Sequence, residues 1–191
     1  MATHTIVTIV GSLRKESFSL KVANALAKLA PASLKLDVTT LEGISFFNQD
    51  LEAAPPADWV AFREKLQKSN GVLFVTPEYN RSVPGVLKNA IDHASRPYGQ
   101  SVWGGKPGAV ISLSQGMISG FGANHHLRQS MVFLDVPMLQ QPEAYIGHAA
   151  NLFDEHGAII DESRREFLQK FLNAFARWIE MTARRPEVAA G

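Results

Sequence analysis

Residues 72–92, VLFVTPEYNRSVPGVLKNAID, decide the fold of this chain. The apolar run at 72–75 is typical of a strand that is buried on both faces of a parallel sheet. A Thr-Pro pair ends that run, a polar loop follows at 78–82, and Pro84 opens a segment with amphipathic helical spacing. A strand that ends in proline and delivers a hydrogen-bonding loop to a sheet edge is suited to holding a planar heterocycle. We therefore predict a strand–loop–helix unit whose loop contacts a ligand.

A second polar loop follows the first predicted strand, within residues 5–19, TIVTIVGSLRKESFS. The β-branched run at 6–10 predicts a buried parallel strand. Backbone N–H groups at the start of the following helix carry partial positive charge, and hydroxyls with a guanidinium complete an anion pocket. Taken alone, the serines are also consistent with simple helix capping. The number of suitable groups within this short loop favours binding of a phosphate monoester. These groups are Ser12, Arg14, Ser17 and Ser19.

Other phosphate-binding motifs are absent from the sequence. There is no G-x-x-x-x-G-K-[ST] pattern, and so no lysine or hydroxyl of a P-loop. There is also no G-x-G-x-x-G after the first strand; Gly120-Phe121-Gly122 continues as Ala-Asn-His and does not complete it. A mononucleotide phosphate remains as the predicted ligand group.

Composition limits the class of protein. The 191 residues, 46% hydrophobic, suit one domain over 1–191. A net charge of +1 without a basic stripe gives no indication of a nucleic-acid partner. The absence of cysteine excludes disulfides, thiol catalysis and cysteine-ligated metals, and fits a reducing cytoplasm. No apolar run approaches the ~20 residues of a membrane span, and residues 1–4 lead directly into the first strand, so we expect a cytoplasmic protein.

Five strands are predicted to alternate with helices along the chain. The strands span 6–10, 34–41, 72–75, 109–113 and 136–139. The helices span about 17–30, 84–93, 124–134 and 162–183, and a further helix follows Pro55-Pro56 and runs through Trp59, Phe62 and Leu66 to Ser69. This alternation predicts an α/β fold: a doubly wound, five-stranded parallel sheet with helices on both faces. In the strand order 2-1-3-4-5, the first and third strands meet at the switch point where ligands bind. Both polar loops follow these two strands. An aromatic stripe on the last helix, from Phe167 to Ile179, is predicted to be core.

A third loop follows the fourth strand at 114–122, SQGMISGFG. Its small residues let backbone approach a ligand closely, although a flexible connection is an equally good interpretation of any one glycine.

His125 and His126 point about 100° apart on a helix and cannot chelate one ion, so we predict no metal site. The serines lack the elbow motif of a serine hydrolase. Glu78 in isolation has the chemistry of a general base, but a loop carboxylate is more commonly solvated.

Together these loops resemble those of the NADPH-dependent FMN reductase family, and nearly the whole chain is similar to its quinone and chromate reductase branch. The resemblance implies a flavodoxin-like fold, bound FMN, and NADPH or NADH as electron donor. It also implies that the flavin carries the chemistry, so no catalytic side chain is expected. The implied cofactor-binding residues are Ser12, Arg14, Ser17, Ser19 and the backbone of Phe18 around the phosphate, Pro77, Glu78, Tyr79 and Asn80 framing the ring, and Ser114 and Gly116 opposite.

The implied function is two-electron transfer by hydride to a quinone or another small acceptor, chromate included. The resemblance further implies a homodimer or homotetramer, with helix 84–93 supplying a contact through Val86, Leu87, Ala90 and Ile91. Where members of this branch place an Arg and a Tyr for subunit contacts, this chain has Gly122 and His125, with Glu143 as a remaining partner. The alternatives are a flavodoxin-type electron carrier, an azoreductase and a flavin-releasing FMN reductase. The near-neutral charge argues against a carrier, which needs a charged docking surface.

Overall fold

The computed structural model describes residues 3–155 and 157–183. The strands are β1 His4–Val10, β2 Leu34–Thr39, β3 Gly71–Pro77, β4 Gly108–Leu113 and β5 Ala144–Ile146. The helices are α1 Phe18–Leu29, α2 Ala57–Gln67, α3 Gly85–Ala94, α4 Phe121–Phe133 and α5 Glu162–Ala183, and short 3-10 turns lie at Gln49–Leu51 and Ala149–Asn151. Met1, Ala2, His156 and residues 184–191 lie outside the described part, and the single domain over 1–191 stays a prediction.

The five strands form one parallel sheet in the order β2-β1-β3-β4-β5, which confirms the predicted flavodoxin-like topology. β1 and β3 are adjacent, with Val10 beside Val75, and β3 runs beside β4 as far as Pro77 and Leu113. These central strands are buried along almost their whole length because helices cover both faces. Their carboxyl ends therefore deliver three successive loops to one edge of the sheet.

Two hydrophobic layers hold the helices against the sheet. One layer joins α1 and α5 to the sheet and includes Leu26, Phe171 and Phe175, all fully buried. The other joins α2, α3 and α4 and includes Phe62 and Leu127. The aromatic stripe of α5 is thus core, as predicted. Within the described ranges, no helix is both long and apolar enough to cross a bilayer.

The predicted fifth strand at 136–139 is wrong. Met138 forms only an isolated bridge with Gly108, and β5 lies instead at Ala144–Ile146, paired with residues 111–113 of β4. The chain advances six residues from 138 to 144 while β4 advances three, so the extra residues loop out of the ladder. Prolines at 137 and 142 have no N–H to donate and interrupt the edge strand there.

Helix α4 begins at Phe121, three residues before the predicted start at 124. Gly120 adopts a φ of +76°, and this left-handed conformation turns the chain directly into the helix. The third loop is consequently shorter than predicted. It ends at Gly120, and residues 121–122 belong to the first turn of α4.

The apolar residues of α3 that were expected to contact a second subunit pack inside the chain. Leu87, Ala90 and Ile91 are at most 2% exposed, and Val86 packs against the same core. Ordinary packing against the core of the same chain accounts for these side chains. The three buried side chains are therefore unavailable for a subunit contact.

Candidate functional site

The three loops at the carboxyl ends of β1, β3 and β4 enclose a cleft with a volume of about 160 Å³. Nine of the predicted site residues line it; they are Ser12, Arg14, Ser17, Phe18, Ser19, Pro77, Glu78, Tyr79 and Ser114. Asn80 and Gly116 are not among the lining residues. Leu113 and Gln115 line the cleft and were missed, although their place beside Ser114 in the same loop is a signal that pointed to them.

The loop after β1 is anchored to the neighbouring strand and presents its polar groups inward. Gly11 N donates to Val75 O at 2.9 Å, which fixes the start of the loop against β3. Three hydroxyl side chains are almost fully buried, at 1–5% exposure, while Arg14 is exposed. The buried hydroxyls are those of Ser12, Ser17 and Ser19. Hydroxyl hydrogens and a guanidinium beside a helix N-terminus are suitable donors to a bound anion.

Ser17 is also the N-cap of α1. Its Oγ accepts from Leu20 N at 3.1 Å, so the capping interpretation of this serine is correct. The first intrahelical bond runs from Lys21 N to Ser17 O, which leaves the amides of Phe18 and Ser19 as first-turn donors outside the helix ladder. Because the Ser17 hydroxyl can still donate its own hydrogen, capping and anion binding are compatible here.

The loop after β3 is a tight hairpin. Tyr79 N donates to Ser82 O at 3.1 Å and Ser82 N to Tyr79 O at 2.9 Å. The two residues between them, Asn80 and Arg81, have φ values of +50° and +63°, as in a type I′ turn. The hairpin holds Tyr79, about half exposed, at the mouth of the cleft, and turns Asn80 away from its lining.

The Glu78 carboxylate is not solvated, and that expectation was wrong. Its side chain is 9% exposed and pairs with Arg81 at 3.1 Å. Its second oxygen accepts from Ala123 N, at the start of α4, at 3.1 Å. Neither bond involves a group inside the cleft. Both carboxylate oxygens of Glu78 are therefore occupied by structural contacts, which its position in a polar loop did not indicate.

The loop after β4 forms the opposite wall of the cleft. Ser114 N donates to Ile146 O at 3.0 Å, and the Ser114 hydroxyl donates to Gly116 O at 3.0 Å. Ser119 and Gly120 both adopt positive φ, which bends the loop sharply into α4. Met117 and Ile118 are left exposed at the loop's tip, where an apolar molecule has access to them.

A polar cluster lies beside this wall. The Tyr145 hydroxyl donates to Glu143 at 2.9 Å and lies 3.1 Å from His125 Nε2. Burial, together with the bond to Glu143, raises the pKa of Tyr145 to about 12. Glu143 thus has a partner within its own chain. At Gly122 a Cβ would lie 2.5 Å from Arg81 O, so this backbone has no room for a side chain.

The cleft fits FMN in the chemistry of its donors. Three buried hydroxyls, helix N-terminal amides and one guanidinium suit a phosphate, and two stiff loops face each other at the right edge of the sheet for a flat ring. Among the described residues, no group of three or more His, Cys, Asp or Glu side chains is arranged to hold a metal ion.

Comparison with known proteins agrees with this geometry. The family model for NADPH-dependent FMN reductase matches residues 4–151. A quinone reductase from Pseudomonas putida is 58% identical over 179 residues, which cover 93% of this chain and 96% of that protein. A 2-hydroxy-1,4-benzoquinone reductase from a Burkholderia species is 47% identical over 174 residues, covering 91% and 95%. The solved structure of FerB, a flavoenzyme NAD(P)H:(acceptor) oxidoreductase from Paracoccus denitrificans, matches with a TM-score of 0.89 at 40% identity, covering 94% of this chain and 99% of that chain.

Proposed function

Because the chain belongs to the NADPH-dependent FMN reductase family and is an FMN-dependent oxidoreductase, we propose that the cleft between its three loops holds the FMN. The phosphate would lie among the buried hydroxyls of the first loop, with the Arg14 guanidinium and the amides of Phe18 and Ser19. The ring would lie between the Pro77–Tyr79 segment and the Ser114–Gln115 segment.

One observation supports this assignment above the others. Three hydroxyls that are almost fully buried meet the N-terminus of α1 at the point where β1 and β3 lie side by side. Ser12 Oγ accepts from Arg14 N at 3.3 Å and Ser17 Oγ accepts from Leu20 N at 3.1 Å, so each of these hydroxyls keeps its own hydrogen to donate to a phosphate at the helix N-terminus.

When bound, FMN supplies the two-electron chemistry, because it accepts hydride from NADPH or NADH and passes electrons on to a second substrate. The chain's own task is to orient the ring and leave one face accessible. The half-exposed Tyr79 and the exposed Met117 and Ile118 border the open side of the cleft, where a planar substrate would stack. No acid–base pair of side chains is needed for that task.

The acceptor we propose is a quinone. Two relatives that cover more than 90% of this chain are named as a quinone reductase and a benzoquinone reductase. The apolar, planar character of a quinone suits the exposed side chains of the third loop. Chromate and azo compounds are the other small acceptors to compare.

We also propose a homodimer or homotetramer, by a different surface from the one expected. Val132 and Phe133, at the end of α4, are 79% and 87% exposed. Phe133, together with Leu134, helps to line a groove of about 600 Å³ between α3 and α4. Large exposed apolar side chains beside a groove are typical of a protein–protein contact.

The test is anaerobic single-turnover mixing of the FMN-loaded protein with NADPH, followed by mixing with benzoquinone. Direct bleaching of the flavin by NADPH and its return with benzoquinone are expected. A carrier of the flavodoxin type would not be reduced by NADPH. A flavin-releasing reductase would lose FMN on gel filtration after reduction, and an azoreductase would prefer an azo dye to the quinone at equal concentration.

A further inference from the structure

The side chain of Glu78 joins the two walls of the cleft. Glu78 follows β3 and belongs to the hairpin loop, whereas Ala123 belongs to the first turn of α4, which directly follows the third loop. One carboxylate oxygen accepts from Ala123 N at 3.1 Å and the other pairs with Arg81 at 3.1 Å. We refer to Glu78, Gly122 and Ala123 as the latch.

Helix α4 has no cap of its own. Its N-cap residue is Gly120, which has no side-chain hydrogen bond, and its first turn contains no acidic residue. A helix N-terminus leaves amides unsatisfied and prefers a negative charge beside it. Glu78 supplies both the acceptor and the negative charge from a different loop, and it thereby links α4 to the hairpin.

Gly122 shows that the two parts are in close contact at the latch. A Cβ at this position would lie 2.5 Å from Arg81 O and 3.0 Å from the Glu78 carboxylate. The nearer atom is backbone and cannot move without moving the hairpin. Any side chain at 122 would therefore push the two walls of the cleft apart.

We propose that Glu78 is a positioning residue. It fixes the hairpin, which holds Tyr79, against the third loop. Its effect depends more on the length of the side chain, which lets it reach Ala123 N as a hydrogen-bond acceptor, than on its charge. The inference rests on the proposed function, since the two walls are those between which the ring would lie. Tyr79 is the neighbour of Glu78. Asn124 Nδ2, in the first turn of α4, donates to Ser112 Oγ, which itself donates to Ser119 O, so a shift of α4 is passed to the third loop.

Two substitutions separate reach from charge. Glu78→Gln keeps the length and one acceptor oxygen for Ala123 N but removes the charge. Glu78→Asp keeps the charge but is one methylene too short to span the same gap. If the latch acts through reach, flavin reduction by NADPH should slow by about tenfold to a hundredfold in Glu78→Asp, the range for a misplaced reactive group, and much less in Glu78→Gln. The opposite order would overturn the proposal and assign the effect to charge.

A readout without cofactor is also required. In the apo protein, amide hydrogen exchange at Ala123 and across residues 114–122 should be faster in Glu78→Asp than in Glu78→Gln, because only the former loses the acceptor. In the loaded protein, the visible circular dichroism of the flavin should change in the same order. Equal exchange and equal spectra in the two variants would show that Glu78 has no positioning role.

Gly122→Ala tests the latch from its other side, with Gly104→Ala as control, since a Cβ at Gly104 meets no atom within 4 Å. Gly122→Ala should slow flavin reduction as Glu78→Asp does, and the double variant should be less impaired than the product of the two, because both disrupt one contact. Fully multiplicative effects would contradict a shared latch. If the unmodified protein failed to bind FMN, the proposed function would be wrong. If it bound FMN normally and the latch variants reduced the flavin as fast as the unmodified protein, only this inference would be refuted.

Discussion

Gly11 lies against Thr76 with no space for a side chain: a Cβ on Gly11 would be 2.6 Å from Thr76 Oγ1 and 3.0 Å from Thr76 Cβ. Gly11 begins the loop after β1, and Thr76 is the penultimate residue of β3. The contact sets how closely the phosphate loop and the hairpin approach each other at the switch point. Absence of a side chain at 11 is thus a requirement of the cleft.

We expect Gly11→Ala to destabilise the protein by about 1–3 kcal/mol, the usual cost of overpacking a dense interior, and to weaken FMN binding. Urea unfolding of the apo protein and titration with FMN would measure both effects. Gly104→Ala is the matched control, because its new methyl group enters open space. Unchanged stability in Gly11→Ala would mean that the strand ends shift easily.

Arg14→Ala should weaken FMN binding while leaving riboflavin binding unaffected, because riboflavin has no phosphate. Removal of a charge-assisted hydrogen bond costs about 1.5–3 kcal/mol, which is roughly tenfold to a hundredfold in affinity. Fluorescence titration of both ligands gives the ratio. Lys15→Ala, at the adjacent exposed position, controls for the loss of general positive charge. An equal effect on both ligands would place the phosphate elsewhere.

Buried His93 should make stability depend on pH. Burial lowers the pKa of His93, against the opposing effects of its bond to Ser45 and of Asp58 and Asp92. The unfolded chain therefore takes up a proton at a higher pH than the folded one. The stabilisation is complete above the unfolded pKa of about 6.5 and is lost as the pH falls from there through the lower folded pKa.

The measurement is the free energy of unfolding in urea at pH 7.5 and pH 5.5, where carboxylates stay ionised. The difference between the two free energies should shrink in His93→Phe. In the unmodified protein the rings of His93 and Trp59 lie 4.1 Å apart between centroids, and phenylalanine keeps an aromatic ring at this contact. Gly104→Ala, which changes no titratable group and adds a methyl group in open space, should keep the difference of the unmodified protein. If the free energy of unfolding differed by the same amount between the two pH values in all three proteins, the pH dependence would belong to other groups.

Phe133→Glu should dissociate the proposed oligomer, because it places a charge on the most exposed apolar side chain beside the α3–α4 groove. Light scattering at micromolar concentration would report the change in mass. Phe46→Glu is the control, since Phe46 is 81% exposed at a position before α2. A monomer in the unmodified protein, with full activity, would exclude the oligomer itself.

Local sequence patterns determined the alternation of strands and helices and the place of the cleft. Buried parallel strands are apolar along most of their length, so 6–10, 72–75 and 109–113 were recognisable without any knowledge of their neighbours. The serines before α1 and the proline at the end of β3 have local conformational effects, and for that reason the phosphate loop and hairpin could be located. β5 could not be located, since its three residues gain their strand conformation only from β4.

Only the tertiary structure decided what Glu78, Gly11 and Gly122 do. Glu78 and Ala123 are 45 residues apart in sequence, and nothing local to the hairpin indicates that its carboxylate caps a later helix. The need for glycine likewise comes from another segment of the chain: Gly11 lies against Thr76 of β3, and Gly122 lies against Arg81 and Glu78 of the hairpin. Sequence patterns record what each segment requires for its own conformation, whereas close approaches between segments exist only once the sheet has brought their ends together.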